Sequence, residues 1–208
     1  MELLISLLFV CALISKAYPL QCNQCIPTGV GSCTQTQETC PAFQTRCGSV
    51  TVASYMGSFK LAEVNMKSCA APAECVSGSV NFGVSRTTVS TRCCDGNLCN
   101  TQNAPALPDG SPNGKQCFTC EGTDCTHTLK CLGSEDRCIK ASVKSDGQTV
   151  TVKGCVSQTA CAGTLNAQLG NTAVDMSCCE GDLCNNARRI GQSVLLLLVS
   201  VASIILFH

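Results

Sequence analysis

The sequence predicts an all-β, disulfide-rich protein built from two tandem copies of one unit. The segment CCDGNLCN at residues 93–100 returns 85 residues later as CCEGDLCN at residues 178–185. Of the 21 cysteines, ten fall in each copy and the remaining one is Cys11. The chain has no tryptophan and few aromatic residues. Neither copy can therefore fold on its hydrophobic core alone, and disulfides must supply much of the stability.

The β-strand signal lies in the longest runs that contain no cysteine. In the second copy, residues 139–144 and 148–153 alternate apolar and polar side chains around Asp146-Gly147, which is a strong hairpin signal. In the first copy, strands are expected at residues 49–54 and 59–66. Helical periodicity is weak between the two apolar ends of the chain. These runs predict β-hairpins rather than helices.

Both ends of the chain resemble processing signals. Leu3 to Ile14 is an apolar run followed by Ser15-Lys16-Ala17, a pattern that predicts a secretory signal peptide and hence an oxidising compartment. Val194 to Phe207 is 14 apolar or small residues, whereas a transmembrane helix needs about 20. A polar spacer at 188–193 and small residues at 185–187 precede it, which is typical of a glycosylphosphatidylinositol signal. A short membrane-anchoring helix or a buried helix is the alternative.

These features predict five segments along the chain. They are a signal peptide at 1–17, a first domain at 18–100, a linker containing proline and glycine at 101–116, a second domain at 117–185, and a removable anchor signal at 186–208. Lipid attachment is expected at Asn185 or Asn186, which would place the protein on the outer leaflet of the plasma membrane. Without the two expected signals the chain has 13 acidic and 11 basic side chains, which is close to neutral, so we expect no nucleic-acid partner.

Three motifs recur at equivalent places in the two copies. A Cys-x-x-Cys opens each copy, at Cys22 to Cys25 and Cys117 to Cys120, an adjacent cysteine pair lies near each end, and Leu-Cys-Asn closes each copy at 98–100 and 183–185. With these motifs, both copies resemble the three-finger domain of the lymphocyte antigen 6 and urokinase receptor family. The resemblance covers residues 22–185. It implies two tandem three-finger, snake-toxin-like domains with five disulfides each.

The resemblance also implies how the cysteines pair, which cysteine counting alone leaves open. The implied pairs in the first copy are Cys22-Cys47, Cys25-Cys33, Cys40-Cys69, Cys75-Cys93 and Cys94-Cys99. Those in the second copy are Cys117-Cys138, Cys120-Cys125, Cys131-Cys155, Cys161-Cys178 and Cys179-Cys184. In the family, the terminal asparagine bonds backbone across the cystine knot. This gives Asn100 and Asn185 structural roles, and for Asn185 that role competes with lipid attachment.

The chain carries little that would support catalysis or metal binding. The Cys-x-x-Cys pairs could be halves of zinc sites or redox pairs, but an even set of cysteines in a secreted chain favours disulfides. His127 is the only histidine expected in the mature chain, so a nucleophile would have no other histidine as its base. Glu135-Asp136 could form an acid-base pair or bind calcium, although a solvated turn is the favoured interpretation. We expect no enzyme activity, no cofactor and no metal.

The finger loops are the expected binding surface. Tyr55, Met56 and Phe59 surround the tip of the central hairpin of the first copy, and Leu165 and Leu169 lie in the polar third finger of the second. Apolar side chains at loop tips are candidates for protein binding, the alternative being that they pack against the neighbouring finger or unit. We therefore expect a glycolipid-anchored recognition protein with an extracellular protein partner. The alternative is a secreted inhibitor of an extracellular enzyme such as a phospholipase.

Overall fold

The structure is a computed structural model that describes residues 19–27, 33–108, 110–145, 148–162 and 173–186. It forms two compact units whose boundaries differ from those of the sequence repeats. Of the described residues, those within 1–52, 63–76 and 90–106 form the first unit, and those within 53–62, 77–89 and 107–208 form the second. The tips of two hairpins of the first repeat therefore belong to the second unit. The expected signal peptide, and the expected anchor signal from residue 187 onward, fall on residues outside the described part.

Strands make up most of the described structure. They are β1 Gln21–Gln24, β2 Thr36–Thr39, β3 Arg46–Met56, β4 Phe59–Ala70, β5 Gly78–Asn81, β6 Ser85–Cys94, β7 Pro112–Glu121, β8 Asp124–Leu132, β9 Arg137–Ser145, β10 Gln148–Val156 and β11 Ala173–Cys179. A 3-10 turn at Pro72–Glu74 and a short helix α1 at Gln158–Cys161 accompany them. This confirms the all-β, disulfide-rich fold class that the sequence predicts. Among the described residues, no helix is long and apolar enough to cross a membrane.

The strands are arranged in three sheets. β1 pairs with β2 and β7 pairs with β8, while the other seven strands follow the order β11-β9-β10-β5-β6-β3-β4. The hairpin strands expected in each repeat are found as β3 with β4 and as β9 with β10. β9 and β10 are antiparallel, with Gln148 opposite Ser145. Their predicted turn residues, Asp146 and Gly147, lie outside the described residues.

Disulfides form the centre of each repeat. Ten are present in the described residues, and each joins two cysteines that the family resemblance pairs. One buried cluster consists of Cys22, Cys40, Cys47 and Cys69. Its counterpart in the second repeat consists of Cys117, Cys131, Cys138 and Cys155. The small number of buried apolar side chains around these clusters fits a fold in which cystines replace much of the hydrophobic core.

The chain that follows Asn100 is bonded to the first unit rather than free of it. The Ser49 hydroxyl donates to the Gln102 carbonyl at 2.8 Å, and the Thr51 hydroxyl donates to the Ala104 carbonyl at 2.6 Å. Lys67 donates to the Thr101 carbonyl at 2.5 Å. Ala104 is buried. The first part of the segment expected to link the domains thus packs on β3, and β7 begins within the same segment at Pro112.

Candidate binding surface at the finger tips

The β3–β4 hairpin ends in a two-residue turn with apolar residues on either side. Gly57 has a φ of 56°, a left-handed conformation that favours glycine and matches the turns that close tight hairpins. Because the turn contains only Gly57 and Ser58, Met56 and Phe59 lie opposite each other. Met56 is 59% exposed and Phe59 is 77% exposed. Leu61, two residues further along β4, is also exposed.

The turn between β5 and β6 adds a fourth apolar residue. Val84 is 65% exposed, and its carbonyl accepts a hydrogen bond from the Gly57 N–H at 3.1 Å. This bond joins the two turns directly. We call Met56, Phe59, Leu61 and Val84 the fingertip patch. All four belong to the second compact unit.

The candidate residues from the sequence divide into three groups in the structure. Met56 and Phe59 are exposed at the tip, as a binding role requires. Tyr55 is only 8% exposed, because alternate residues along a strand face opposite sides and the Tyr55 side of β3 is covered. We therefore leave Tyr55 out of the patch. Leu165 and Leu169 lie outside the described residues.

Leu61 and Val84 are the patch residues that the sequence prediction missed. Leu61 follows Phe59 at the i+2 spacing of a strand, which was a usable signal. Val84 lies in the sequence Asn81-Phe82-Gly83-Val84, where Gly83 has a φ of 84°. That glycine marks a turn, but the sequence gives no indication that the turn lies against Gly57.

Glu135 is fully buried, which corrects the expectation of a solvated turn at Glu135-Asp136. Its side chain is 0% exposed. Oε1 accepts hydrogen bonds from the Ser79 hydroxyl at 3.1 Å and from Arg86 Nε at 2.9 Å. Oε2 accepts from Asn81 Nδ2 at 3.2 Å and from the Leu132 N–H at 2.9 Å. Four donors compensate the cost of burying this carboxylate, which is why it does not need water.

The neighbouring acid has a different role. Asp136 accepts a hydrogen bond from the Gln158 N–H at 2.8 Å, near the start of α1. The two carboxylates therefore bind separate donors, and the calcium or acid-base pair considered for them has no support in this geometry.

The closing asparagines occupy the same position in both repeats. Asn100 Oδ1 accepts from the Asn23 N–H at 2.9 Å, and Asn100 Nδ2 donates to the carbonyls of Asn23 and Gly48, both at 2.9 Å. Asn185 likewise accepts from the Phe118 N–H at 2.9 Å and donates to the carbonyls of Phe118 and Ile139 at 2.9 and 2.8 Å. Both side chains are 4% exposed.

The two residues considered for lipid attachment therefore differ in accessibility. Asn185 is buried and bonded to β7 and β9, whereas Asn186 is exposed. The choice between them stays a prediction. The residues that follow, from 187 onward, lie outside the described part of the chain.

Three sulfurs approach one another closely in each repeat, in the spacing of a metal site. They belong to Cys22, Cys40 and Cys69 in the first repeat and to Cys117, Cys131 and Cys155 in the second. All six are disulfide-bonded. A metal would need their thiolates, so these sulfurs cannot act as ligands while the disulfides are intact.

His127 lies on the surface beside two acids. Its Nε2 is 3.4 Å from Asp124 and 3.9 Å from Glu121. The hydroxyl and N–H of Thr126 bond Asp124 and hold the pKa of its carboxyl below the usual value. This arrangement is the exposed start of β8 with local hydrogen bonds, and no nucleophilic hydroxyl or thiol is bonded to His127 in the contacts described.

The second repeat also contains a buried lysine. Lys153 is 5% exposed, donates to the Cys125 carbonyl at 3.3 Å, and places its Nζ 5.5 Å from the centre of the Phe118 ring. Burial, with a smaller contribution from Lys140, lowers its pKa below the usual value. Lys67 precedes Cys69 by two residues, as Lys153 precedes Cys155, and it is also buried.

An open groove of about 930 Å³ lies on the face of β9 and β11. Lys140, Ser142, Thr151, Asp175 and Ser177 contribute to its lining. Small-molecule sites are concave and mostly apolar, with a few converging polar groups. This groove is open to solvent and its lining is about evenly polar and apolar, so it does not fit that description. The exposed apolar fingertip patch is the stronger candidate for a binding surface.

Comparison with protein families identifies both repeats. The model of the u-PAR/Ly-6 domain matches residues 19–102 and 113–187. The two matches together cover most of the chain, and their boundaries follow the cysteine repeats.

Curated relatives of two kinds are similar to the chain. The urokinase plasminogen activator surface receptor of Bos taurus is 27% identical over 195 residues, covering 87% of this chain and 58% of the receptor. The phospholipase A2 inhibitor PIP of Malayopython reticulatus is 29% identical over 167 residues, covering 74% of this chain and 80% of the inhibitor. The phospholipase A2 inhibitor CNF of Crotalus durissus terrificus is 27% identical over 167 residues, again covering 74% of this chain and 80% of the inhibitor. The chain thus spans less than two thirds of the bovine receptor.

Proposed function

Because this chain belongs to the u-PAR/Ly-6 family, we propose that it is a non-enzymatic extracellular binding protein whose fingertip patch contacts a protein partner. We further propose that a glycosylphosphatidylinositol lipid holds it on the outer leaflet of the plasma membrane. Membership of the family supports a role in binding rather than catalysis. The patch supplies the surface, and the apolar tail of the sequence supports the anchor.

The observation that carries the binding proposal is the exposure of four clustered apolar side chains. Large apolar residues at a protein surface are costly when they form one patch, so such patches commonly mark interaction sites. Ser58, Lys60 and Ser85 are exposed beside the patch. An apolar centre with polar neighbours is the usual composition of a protein–protein interface, which favours a protein partner over a lipid surface.

The relatives support a binding role for two different kinds of protein. One kind is named as a surface receptor for a plasminogen activator, and the other as an inhibitor of phospholipase A2. Both names describe recognition of another protein, although the partner of this chain need be neither. The fold alone does not determine which ligand is bound, so the residues of the loops must determine the partner.

A secreted phospholipase inhibitor is the second candidate. The observation that favours it is coverage, because the chain spans 80% of the python inhibitor but only 58% of the bovine receptor. An inhibition assay with secreted phospholipase A2 enzymes tests this candidate directly. Concentration-dependent inhibition by the purified protein would support it.

The anchor proposal is tested by treating intact expressing cells with phosphatidylinositol-specific phospholipase C. Release of the protein from the surface supports the lipid anchor, whereas protein that appears in the medium without treatment supports the secreted inhibitor. Leu197→Lys provides a second test, since a charge in the centre of the apolar tail costs about 2.5–3.5 kcal/mol in an apolar segment. The variant should be retained or secreted without lipid, and surface protein that resists the lipase and retains the tail would contradict the anchor.

The patch proposal is tested by screening the protein against an arrayed set of extracellular domains. The triple variant Met56→Ser, Phe59→Ser and Val84→Ser should lose binding to any domain that the wild type binds. Phe43→Ser is a matched control, because Phe43 is 72% exposed but belongs to the first unit and not to the patch. Loss of binding in the control as well would indicate nonspecific adhesion of exposed aromatic residues.

A further inference from the structure

We propose that Glu135 is a positioning residue that holds the β5–β6 hairpin in place and thereby fixes the Val84 side of the fingertip patch. Glu135 does not itself belong to the patch and is not exposed. Only the effect of Glu135 on partner binding rests on the function proposed for the patch. The positioning itself can be measured without one.

The carboxylate binds both strands of the hairpin. Ser79 and Asn81 of β5 and Arg86 of β6 all donate to it, at 3.1, 3.2 and 2.9 Å. The fourth donor, the Leu132 N–H at 2.9 Å, ties the same carboxylate to the turn on which Glu135 lies. The Arg86 side chain is only 10% exposed, so its charge also depends on this partner.

Two of these bonds, from Asn81 and Arg86, are made at the end of the hairpin that bears the turn. Asn81 and Arg86 are directly opposite each other and are the last pair of β5 and β6 before the turn. Asn81 uses both ends of its side-chain amide, since Nδ2 donates to Glu135 and Oδ1 accepts from the Gly83 N–H at 2.9 Å. Asn81 therefore connects the buried carboxylate directly to the turn that carries Val84.

The turn between β5 and β6 also contacts the tip of the β3–β4 hairpin. The Val84 carbonyl accepts the Gly57 N–H at 3.1 Å, and Gly57 lies between Met56 and Phe59 in the hairpin turn. A continuous series of hydrogen bonds thus runs from Glu135 through Asn81 and Gly83 to the turn of Val84, and from Val84 to Gly57. Each step in this series is a direct contact within the second compact unit.

The chemistry requires a carboxylate at position 135. Four N–H or O–H groups point at its two oxygens, and a carboxylate can accept from all of them. Glutamine has nearly the same shape but would turn an NH₂ group toward two of the donors. An apolar residue would leave all four donors, including the charged Arg86, without their acceptor.

Glu135→Gln tests the positioning role, with exchange of single backbone amides followed by NMR on the mature, disulfide-intact protein. We expect the Gly57 and Gly83 amides to exchange at least tenfold faster than in the wild type. The Asn23 amide, which bonds Asn100 in the other unit, should change by less than about twofold. Asp136→Asn is the matched control, because it removes the neighbouring charge while an amide oxygen can still accept from Gln158.

Glu135→Gln/Asn81→Asp provides a reversal of the bond. The glutamine amide can then donate to the new carboxylate, which still accepts from Gly83, so protection of Gly57 should recover relative to the single variant. If Glu135→Gln does not fold, recovery of folding and secretion in the double variant supports the role, and failure of recovery contradicts it. Unchanged exchange at Gly57 in folded Glu135→Gln, or equal acceleration at Gly57 and Asn23, overturns the proposal.

Partner binding separates this role from the proposed function. Faster exchange at Gly57 with weaker binding supports both. Faster exchange with unchanged binding supports the positioning role and contradicts binding through the patch. Unchanged exchange overturns the positioning role, whatever the binding result.

Discussion

Replacing Asn100 by alanine should destabilise the first repeat strongly even though every disulfide remains. The Asn100 side chain is 4% exposed and satisfies three backbone groups: the N–H and carbonyl of Asn23 and the carbonyl of Gly48, each at 2.9 Å. Alanine leaves all three without a partner, and water has little access to replace the amide.

The magnitude follows from those three groups. A buried backbone group that loses its hydrogen-bond partner costs about 1–3 kcal/mol, so the variant should lose at least about 3 kcal/mol. Domains of this size are stable by only about 5–15 kcal/mol. A loss of 3 kcal/mol corresponds to a melting temperature lower by more than about 10 °C.

Scanning calorimetry and guanidinium unfolding of the oxidised protein measure the loss. Asn103→Ala is the matched control, because Asn103 is an exposed asparagine three residues further along the chain. Asn185→Ala should behave like Asn100→Ala, since its side chain makes the equivalent bonds to Phe118 and Ile139. An Asn100→Ala protein within about 1 kcal/mol of both wild type and control would refute the reasoning.

Three further predictions follow from packing, charge and redox state. Gly154→Ala should cost about 3 kcal/mol or more, because a Cβ there would clash with the Asn81 carbonyl oxygen. Gly96→Ala is the control, since its Cβ meets only an ordinary contact at 3.7 Å, and chemical denaturation compares the two variants. Burial lowers the pKa of Lys153, so between that pKa and the unfolded value of about 10.5 the unfolded chain binds more protons and wild-type stability rises with pH. Lys153→Met should abolish this increase in stability with pH. An identical pH profile of stability in both proteins would contradict the role of Lys153. Finally, the denatured but unreduced protein should not react with a thiol probe, and labelling of any cysteine in the ten disulfides would contradict the pairing.

The two repeats and their hairpins could be predicted from the sequence because short local patterns indicate them. The repeated cysteine motifs identify the family, and apolar–polar alternation locates the hairpins that became β3 with β4 and β9 with β10. The pairing of cysteines came from the family resemblance and not from the spacing, since spacing alone leaves many pairings open.

The residues that the sequence could not place depend on long-range packing. Glu135 looked solvated because charged residues in a turn usually are, and its donors Ser79, Asn81 and Arg86 lie 49 to 56 residues earlier in the chain. Tyr55 looked like a surface residue because it lies close to the turn. In the structure it is buried, because the side of β3 that it faces is covered. Val84 became a patch residue through its bond to Gly57, which no local pattern indicates.

The affinity of the fingertip patch for a partner tests the central claim most directly. For an extracellular domain bound by the wild type in the array, surface plasmon resonance compares the wild type, the Met56→Ser/Phe59→Ser/Val84→Ser variant and the Phe43→Ser control. If each patch residue contributes about 1 kcal/mol or more, the triple variant should bind about 100-fold more weakly or worse, while the control binds as the wild type does. A triple variant that is folded and binds with wild-type affinity would contradict the account.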